Sequence, residues 1–169
     1  PPAYSRLLVR WQFRELVRST ILRGKFQADR LALRVLADEA CRLLRAQPVA
    51  VDAVLAMPIA NSRLHRRGFN QTLFPARAAA RLLAVPLVAE GIFCKQARQP
   101  QSLLPTHAAR RRNMRGAFAV CGDLPARLLL VDDVITSGAT LHEAAQTLRA
   151  AGVQEVVALA IAAAHRRSP

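Results

Sequence analysis

The sequence predicts an α/β fold in which a parallel sheet is flanked by helices, and three observations support this prediction. Residues 128–131 form a short, continuous apolar run, which is typical of a strand covered on both faces. Two acids, a loop of small residues and a helical pattern follow that run directly. An order of strand, helix and strand occurs over 51–88 and again over 128–163, as in the crossover units of a parallel sheet.

Length and composition indicate one main domain. The chain has 169 residues, 52% of them hydrophobic, which is enough for one sizeable core. We expect residues 1–47 to form a helical region packed on a core domain of residues 48–169. No apolar run is long enough to span a membrane. The three cysteines are far apart and form no CxxC pair, so the sequence indicates neither a zinc site nor a disulfide framework. A reducing, cytoplasmic compartment is the simplest interpretation.

The charge of the chain indicates a phosphate-rich partner. The net charge is +14, from 25 Lys and Arg against 11 Asp and Glu. Such a balance suits either a small phosphorylated substrate or a nucleic acid. A GC-biased genome that favours Arg and Ala would produce the same composition, and this alternative stays open.

Two helices are predicted at the start of the chain. Apolar residues keep helical spacing over 4–25, where Gly24 can end the helix, and again over 29–45, where Asp29 can cap it. In the first helix, basic residues recur at i, i+4 and would form a stripe able to contact a row of phosphates. These residues are Arg6, Arg10, Arg14 and Arg18. An ordinary solvated helix face is the alternative.

The next strand leads into a basic loop. Residues 51–57 are predicted as a strand that Pro58 ends, and residues 58–71 as a loop rich in Arg. Cationic side chains after a strand's carboxyl end make a good anion site, although a solvated basic loop is the alternative. No acid lies near His65 in the sequence, so we do not assign it a catalytic role.

The middle of the chain alternates regular elements with one long loop. A helix is predicted over 71–83, a short strand over 85–88 and another strand over 116–120. Residues 94–113 have little apolar periodicity and contain two Pro and several Gln and Arg. We therefore predict a long mobile loop there, and loops of that length are usually functional or disordered.

The most informative stretch is residues 128–141. Asp132 and Asp133 do not suit a covered strand, so we expect them at its exposed carboxyl end, where ligands bind in open α/β sheets. The small residues of the loop over 136–140 can direct N–H groups at an anion, with a helix N-terminus behind them. Carboxylates bind hydroxyls or hard cations. A helix over 140–151 and a strand over 153–163 complete the unit.

The order of elements also predicts a crevice. If strands 51–57 and 128–132 are neighbours, their connections leave toward opposite faces of the sheet. Such a switch point opens a crevice at the strand ends, where the basic loop and the acidic stretch would meet. A ligand with phosphates at both ends would fit there.

Residues 131–140, which read VDDVITSGAT, resemble the signature of the type I phosphoribosyltransferases. This resemblance implies a Rossmann-type parallel sheet that binds 5-phosphoribosyl-1-pyrophosphate (PRPP). In that family the paired acids bind the ribose hydroxyls and the following loop binds the 5′-phosphate. An ordinary strand, turn and helix of another α/β protein is the alternative, and the complete order of acids, small loop and helix disfavours it.

A closer resemblance, over nearly the whole chain, is to the ComF family of competence-associated, phosphoribosyltransferase-like proteins. It rests on RGFNQ at 67–71, QSL at 101–103 and RRRNMRGAF at 110–118, with a weaker match at Lys25 and Phe26. Members commonly begin with a Cys-rich zinc ribbon, which this sequence does not contain, so no metal ligand is carried over. Many relatives have Thr after the residue equivalent to Arg98, which weakens a specific role for that arginine.

This resemblance implies roles for three groups of residues. Ribose and 5′-phosphate would be bound by Asp132, Asp133, Val134, Ile135, Thr136, Ser137, Gly138, Ala139 and Thr140. Pyrophosphate would be bound by Pro58, Ile59, Ala60, Asn61, Ser62, Arg63 and Arg67. The flexible loop that closes over the site would contribute Arg98, Gln101, Arg110 and Asn113. Mg²⁺ would bridge pyrophosphate and ribose oxygens, mostly through the ligand, and no residue is an obvious general base.

Two functions are compatible with these features. The first is a PRPP-binding protein that acts in natural transformation, with single-stranded DNA and the DNA-uptake machinery as partners. The second is a Mg²⁺-dependent phosphoribosyltransferase that acts on an unidentified nucleobase or amine. Aromatic residues make up only 5% of the chain, so contact with DNA would be mostly with phosphates and sensitive to salt.

Overall fold

The computed structural model describes residues 1–26, 29–88, 90–95 and 112–164. Strands and helices alternate along most of this chain. In chain order they are β1 (Arg6–Gln12), α1 (Glu15–Phe26), α2 (Arg30–Cys41), α3 (Leu43–Ala46), β2 (Ala53–Ala56), α4 (Asn61–Arg67), α5 (Leu73–Leu83), β3 (Leu87–Val88), β4 (Ile92–Cys94), β5 (Phe118–Val120), β6 (Arg127–Ile135), α6 (Ala139–Ala150) and β7 (Glu155–Ala163).

A five-stranded parallel sheet is the centre of the fold, which confirms the predicted class. Its strand order is β1-β7-β6-β2-β3, and every pairing within it is parallel. β2 and β6 are neighbours, and their crossovers lead outward to β3 and β7 on opposite sides. The switch point expected from the sequence therefore lies between β2 and β6. β4 and β5 pair separately as an antiparallel ribbon.

Two hydrophobic layers cover the sheet. Leu128 and Leu130 of β6 pack with α6 on one face, and Leu129 and Val131 pack with α5 on the other. All four residues are fully buried, as their continuous apolar run predicted. Buried alanines in α5 bring that helix close to the strands.

The prediction of one helix over 4–25 is wrong for its first half, because residues 6–12 form the strand β1. β1 pairs in parallel with β7, from Arg6 opposite Val157 to Gln12 opposite Ala163. Leu7, Leu8 and Val9 are consecutive in β1 and face opposite sides of the sheet, since Leu8 is buried in the layer with α5 while Leu7 and Val9 pack against the layer with α6. Pairing with a neighbouring strand outweighs the local helical pattern. The predicted division of the chain between residues 47 and 48 stays a prediction.

Two further expectations need correction. The stretch predicted as a loop over 58–71 contains the helix α4, which ends at Gly68 in the left-handed conformation (φ 74°). The acids expected at an exposed strand end lie inside β6, and Asp133 is buried. β6 is longer than predicted because it stays paired with β7 as far as Ile135.

None of the helices in the described ranges has the length and apolarity that crossing a bilayer requires.

Gly24 allows α1 to pack closely on α2. A Cβ on Gly24 would lie only 2.6 Å from Cδ1 of Leu33, whose side chain is fully buried. Alanine raises helix propensity by about 1 kcal/mol, but overpacking a core typically costs about 1–3 kcal/mol. We expect Gly24→Ala to lower the free energy of unfolding by about 1–2 kcal/mol in urea titrations. Leu16→Ala, at an exposed position of α1, is the control and should change it by less than about 0.5 kcal/mol. A Gly24→Ala protein at least as stable as wild type would contradict this close packing.

Candidate ligand site at the ends of β2 and β6

The candidate site begins where β2 ends and β6 continues. The two strands pair as far as Ala56 opposite Val131, and the backbone N–H of Met57 donates to the Val131 carbonyl at 2.8 Å. Beyond that point, β7 is the one strand among the described residues that pairs with β6. Asp132 and Asp133 therefore lie immediately beside the loop that leaves β2.

Asp133 forms a buried ion pair with Lys25 at the end of α1. The Lys25 Nζ atom is 2.5 Å from the Asp133 Oδ2 atom, and the two side chains are only 14% and 6% exposed. Asp133 Oδ1 accepts a hydrogen bond from the Val134 N–H at 2.8 Å. Burial has the largest single effect on the pKa of Asp133 and raises it, but the Lys25 charge and the hydrogen bonds from Lys25 and the Val134 N–H together hold that pKa below the ordinary value. Asp133 is therefore a carboxylate in the folded protein.

Asp132 has the opposite electrostatic environment. Its Oδ1 accepts a hydrogen bond from the Asp133 N–H at 2.8 Å. Burial, followed by the neighbouring Asp133 charge, raises the pKa of Asp132 to about 8. The pair thus holds one firmly ionised carboxylate and one that takes up a proton near neutral pH.

The raised pKa of Asp132 predicts how stability depends on pH. A carboxyl group whose folded-state pKa exceeds its unfolded value stabilises the fold when protonated, and this contribution is lost as pH rises from about 4 to about 8. The amide of Asp132→Asn does not titrate, so the stability of this variant has no such pH-dependent contribution. We therefore expect Asp132→Asn to gain stability relative to wild type as the pH rises from about 5.5 to about 8.5. Urea midpoints measured at several pH values check this, and a difference that does not vary with pH would contradict it.

The loop after β6 leads directly into the N-terminus of α6. Gly138 caps this helix in the left-handed conformation with φ 74° and makes no side-chain capping bond. Ser137 Oγ accepts a hydrogen bond from the Ala139 N–H at 3.3 Å. Thr136 is exposed, whereas Ile135 and Ala139 are buried. The N-terminus of a 12-residue helix thus lies beside the two acids, which is a favourable place for an anion.

The basic loop after β2 is held by the Asn-Gln motif that follows α4. Asn70 Nδ2 and Thr72 Oγ1 donate to the Met57 carbonyl at 3.0 and 2.7 Å. Gln71 is 5% exposed, and its Oε1 accepts a hydrogen bond from Arg67 Nη1 at 2.9 Å. Residues 58–60 and α4 are therefore fixed against the end of β2. This segment contains all the residues predicted to bind pyrophosphate: Pro58, Ile59, Ala60, Asn61, Ser62, Arg63 and Arg67.

Arg67 connects the basic segment to the acids. Its guanidinium carbon is 5.2 Å from the centre of the Phe26 ring. Burial lowers the pKa of Arg67, and the nearby charge of Asp133 partly offsets that effect. The structure thus brings α1, α4 and β6 together, with Lys25 and Arg67 both near Asp133.

The residues predicted for the flexible loop are described only in part. Arg98, Gln101 and Arg110 lie outside the described residues, while Asn113 belongs to the segment that leads into β5.

The predicted stripe of arginines on one helix is wrong, because its members lie on different elements. Arg6 and Arg10 belong to β1, Arg14 precedes α1 and Arg18 is on α1. Arg6 donates to the Pro48 carbonyl at 3.3 Å and to Gln47 at 2.8 Å.

Lys25 is the site residue that sequence reasoning did not assign. The sequence contained two signals for it: the weaker family match at Lys25 and Phe26, and the fact that Lys25 is one of only two lysines in a chain whose other basic residues are arginines. A lysine ammonium is a compact charge that can approach one carboxylate oxygen, whereas a guanidinium is broader and forked. Its spatial partner was not predictable, because Asp133 lies far along the chain on a different element.

A comparison with protein families tests the fold and the resemblance. A family model described as phosphoribosyl transferase domain matches residues 73–169, more than half of the chain. This chain belongs to the phosphoribosyltransferase family. The match includes β6, the small-residue loop and α6. Within the family the chain is ComF-like, as its curated relatives show.

Two curated relatives are informative. Competence protein F of Haemophilus influenzae is 29% identical over 165 residues, which cover 92% of this chain and 71% of that protein. DNA utilization protein YhgH of Escherichia coli O157:H7 is 34% identical over 108 residues, which cover 62% of this chain and 46% of that protein. The chain therefore aligns with only part of each relative's length.

Two solved structures are also similar to this chain. TT1426 from Thermus thermophilus is 14% identical with a TM-score of 0.47, over 81% of this chain and 85% of that one. A purine phosphoribosyltransferase from Pyrococcus horikoshii is 15% identical with a TM-score of 0.39, over 96% and 95% of the two chains.

Proposed function

We propose that this ComF-like protein binds PRPP with Mg²⁺ in the crevice between β2 and β6. The observation that carries the proposal is the arrangement of groups around Asp132 and Asp133. An acidic pair lies between the N-terminus of α6 on one side and the Arg-rich segment after β2 on the other. PRPP has a matching order of groups, with a ribose diol between a 5′-phosphate and a pyrophosphate.

Each part of the crevice suits one part of this ligand. The N-terminus of α6 would bind the 5′-phosphate through backbone N–H groups. Carboxylates accept hydrogen bonds from hydroxyls, so Asp132 and Asp133 would bind the ribose. Arg63 and Arg67 would neutralise the pyrophosphate.

The donor groups present are compatible with Mg²⁺. The described residues contain no cluster of three or more His, Cys, Asp or Glu side chains. Mg²⁺ usually keeps waters and binds through one or two carboxylates and the phosphates of the substrate, which fits this acidic pair. When bound, the ion would neutralise charge on the pyrophosphate.

We further propose that the protein acts in the cytoplasm during natural transformation. The names of its relatives, Competence protein F and DNA utilization protein, support a role in DNA uptake or use. The net charge of +14 favours a polyanionic partner. Single-stranded DNA and the DNA-uptake machinery are therefore the partners that we propose.

Calorimetric titration of wild-type protein with PRPP in the presence of Mg²⁺ tests the first proposal. We expect saturable binding that requires Mg²⁺, and weaker binding of ribose 5-phosphate, which lacks the pyrophosphate. If PRPP does not bind with Mg²⁺ present, the assignment of the crevice is wrong. Release of pyrophosphate in the presence of nucleobases or amines would identify the protein as an active transferase rather than a binding protein.

A further inference from the structure

The helices on one face of the sheet carry an excess of exposed arginine. α2, α3 and α5 pack together on that face. Their exposed arginines include Arg34, Arg42, Arg45, Arg77 and Arg81. α6, a 12-residue helix on the opposite face, carries one Glu and one Arg. Exposed Arg112 and Arg115 flank Met114 of the layer with α6, so the difference is one between the helices rather than between whole faces. The concentration of arginine on three adjacent helices favours a specific role for them.

The arginines surround a cleft between α2, α3 and α5. The cleft has a volume of about 390 Å³, and Arg42, Arg45 and Arg81 line it together with Asp38. The side chains of Arg42 and Arg81 are each 70% exposed. Arg34 and Arg77 lie one helical turn before Asp38 and Arg81, so they extend the basic surface along both helices. We call these five residues, Arg34, Arg42, Arg45, Arg77 and Arg81, the arginine cleft.

Acidic neighbours neutralise the arginine cleft only in part. Asp38 lies 3.7 Å from Arg81, and Glu39 lies 3.1 Å from Arg42. Five arginines against two acids leave three positive charges in excess. Exposed ion pairs of this kind contribute little to stability. The arginines therefore stay available to an external anion.

The arginine cleft is separate from the PRPP crevice. α5 begins at Leu73, next to Thr72, whose hydroxyl contacts the end of β2. Arg81 lies more than two turns further on, which corresponds to about 12 Å along the helix, away from the crevice. Binding at one site therefore need not block the other.

We propose that the arginine cleft binds the phosphate backbone of single-stranded DNA. This inference rests on the proposed role in DNA uptake and gives that role a surface. Arg34 lies seven residues before Cys41, which lines the cleft, and this corresponds to about 10 Å of helical rise within α2, so the arginines span more than one phosphate. Few aromatic side chains are available, so contact is with phosphates and independent of base sequence.

The shape of the surface favours a single strand over a duplex. α2 and α5 pack against each other side by side in one helical layer, so neither projects as a helix that could enter a major groove. A flexible strand can place one phosphate inside the cleft and its neighbours on Arg34 and Arg77. A stiff duplex cannot bend into a cleft of this size, because its persistence length is about 150 base pairs.

Fluorescence anisotropy with labelled oligo(dT) tests this assignment at several salt concentrations. The cleft variant is Arg34→Gln/Arg42→Gln/Arg81→Gln. The matched control is Arg10→Gln/Arg14→Gln/Arg18→Gln, which removes the same charge from exposed positions outside the cleft. We expect the cleft variant to bind at least about tenfold more weakly at about 0.1 M salt, while the control stays close to wild type. The slope of log affinity against log salt should fall by about 2 in the cleft variant, since each lost contact removes about 0.7.

Several outcomes would overturn the assignment: equal losses in the cleft and control variants, duplex DNA that binds as tightly as oligo(dT), or weaker binding of oligo(dT) by Asp132→Asn. Circular dichroism shows whether the variants are folded. Binding of PRPP and of DNA is compared in wild type and in the cleft variant. If both proteins bind oligo(dT) equally well, only the arginine cleft is rejected. If wild type binds PRPP but no DNA, the arginine cleft and the proposed DNA partner are both rejected and the crevice assignment stands. Loss of PRPP binding in wild type with DNA binding retained rejects only the crevice assignment.

Discussion

Replacing both acids of β6 should abolish measurable binding of PRPP with Mg²⁺. In Asp132→Asn/Asp133→Asn, the amides keep the size of the carboxylates but lose their charge and half of their acceptor capacity. A hydrogen bond to a charged group contributes about 1.5–3 kcal/mol. The loss of two such groups predicts a decrease in affinity of about 100-fold or more, as measured by calorimetry at a pH above about 8, where Asp132 is ionised as well as Asp133.

The control is Asp123→Asn, which makes the same chemical change at an exposed position. It should bind PRPP like wild type. The single variant Asp132→Asn keeps the ion pair between Asp133 and Lys25. A large decrease in its PRPP affinity therefore cannot come from loss of that ion pair. A folded double variant with wild-type affinity would contradict the proposed role of both acids.

Lys25→Met should destabilise the folded protein strongly. The change leaves the Asp133 carboxylate buried, at 6% exposure, without its cation. Removing one partner of a buried ion pair typically costs about 3–5 kcal/mol. The matched control is Lys95→Met, which replaces the other lysine at an exposed position and should change the free energy of unfolding by less than about 0.5 kcal/mol.

Two further measurements separate the lost charge from lost packing. Without Lys25 the pKa of Asp133 rises, so the protonated acid stabilises the variant at low pH and this contribution is lost as pH rises. The deficit of Lys25→Met relative to wild type should therefore shrink between about pH 8 and about pH 5. Adding Asp133→Asn to Lys25→Met should recover part of the stability, because no buried charge remains. If Lys25→Met costs no more than Lys95→Met, the ion pair does not matter for stability.

The parts of the fold that depend on local pattern were predictable. The continuous apolar run before Asp132 predicted a covered strand, and Gly138 marked the turn into α6. The switch point was predicted only on the condition that strands 51–57 and 128–132 are neighbours, and the structure meets that condition.

The parts that depend on distant pairing were not predictable. Residues 6–12 have a pattern that suits a helix, and they form a strand because β7, near the other end of the chain, offers a free edge. The burial of Asp133 depends on Lys25, which α1 brings to it from far away in sequence. The close packing of α1 on α2 at Gly24 likewise depends on the side chain of Leu33.

The position of β1 has a further consequence, which concerns aggregation. β1 is the terminal strand of the sheet, and in the part of the chain that the structure describes no strand pairs with its edge away from β7. Exposed strand edges can pair with other chains, and proteins protect them with charged residues. Arg6 and Arg10 are exposed on β1, and their like charges would repel a second copy that approaches the same edge. Two arginines that first suggested contact with DNA thus help to keep the sheet from growing between molecules.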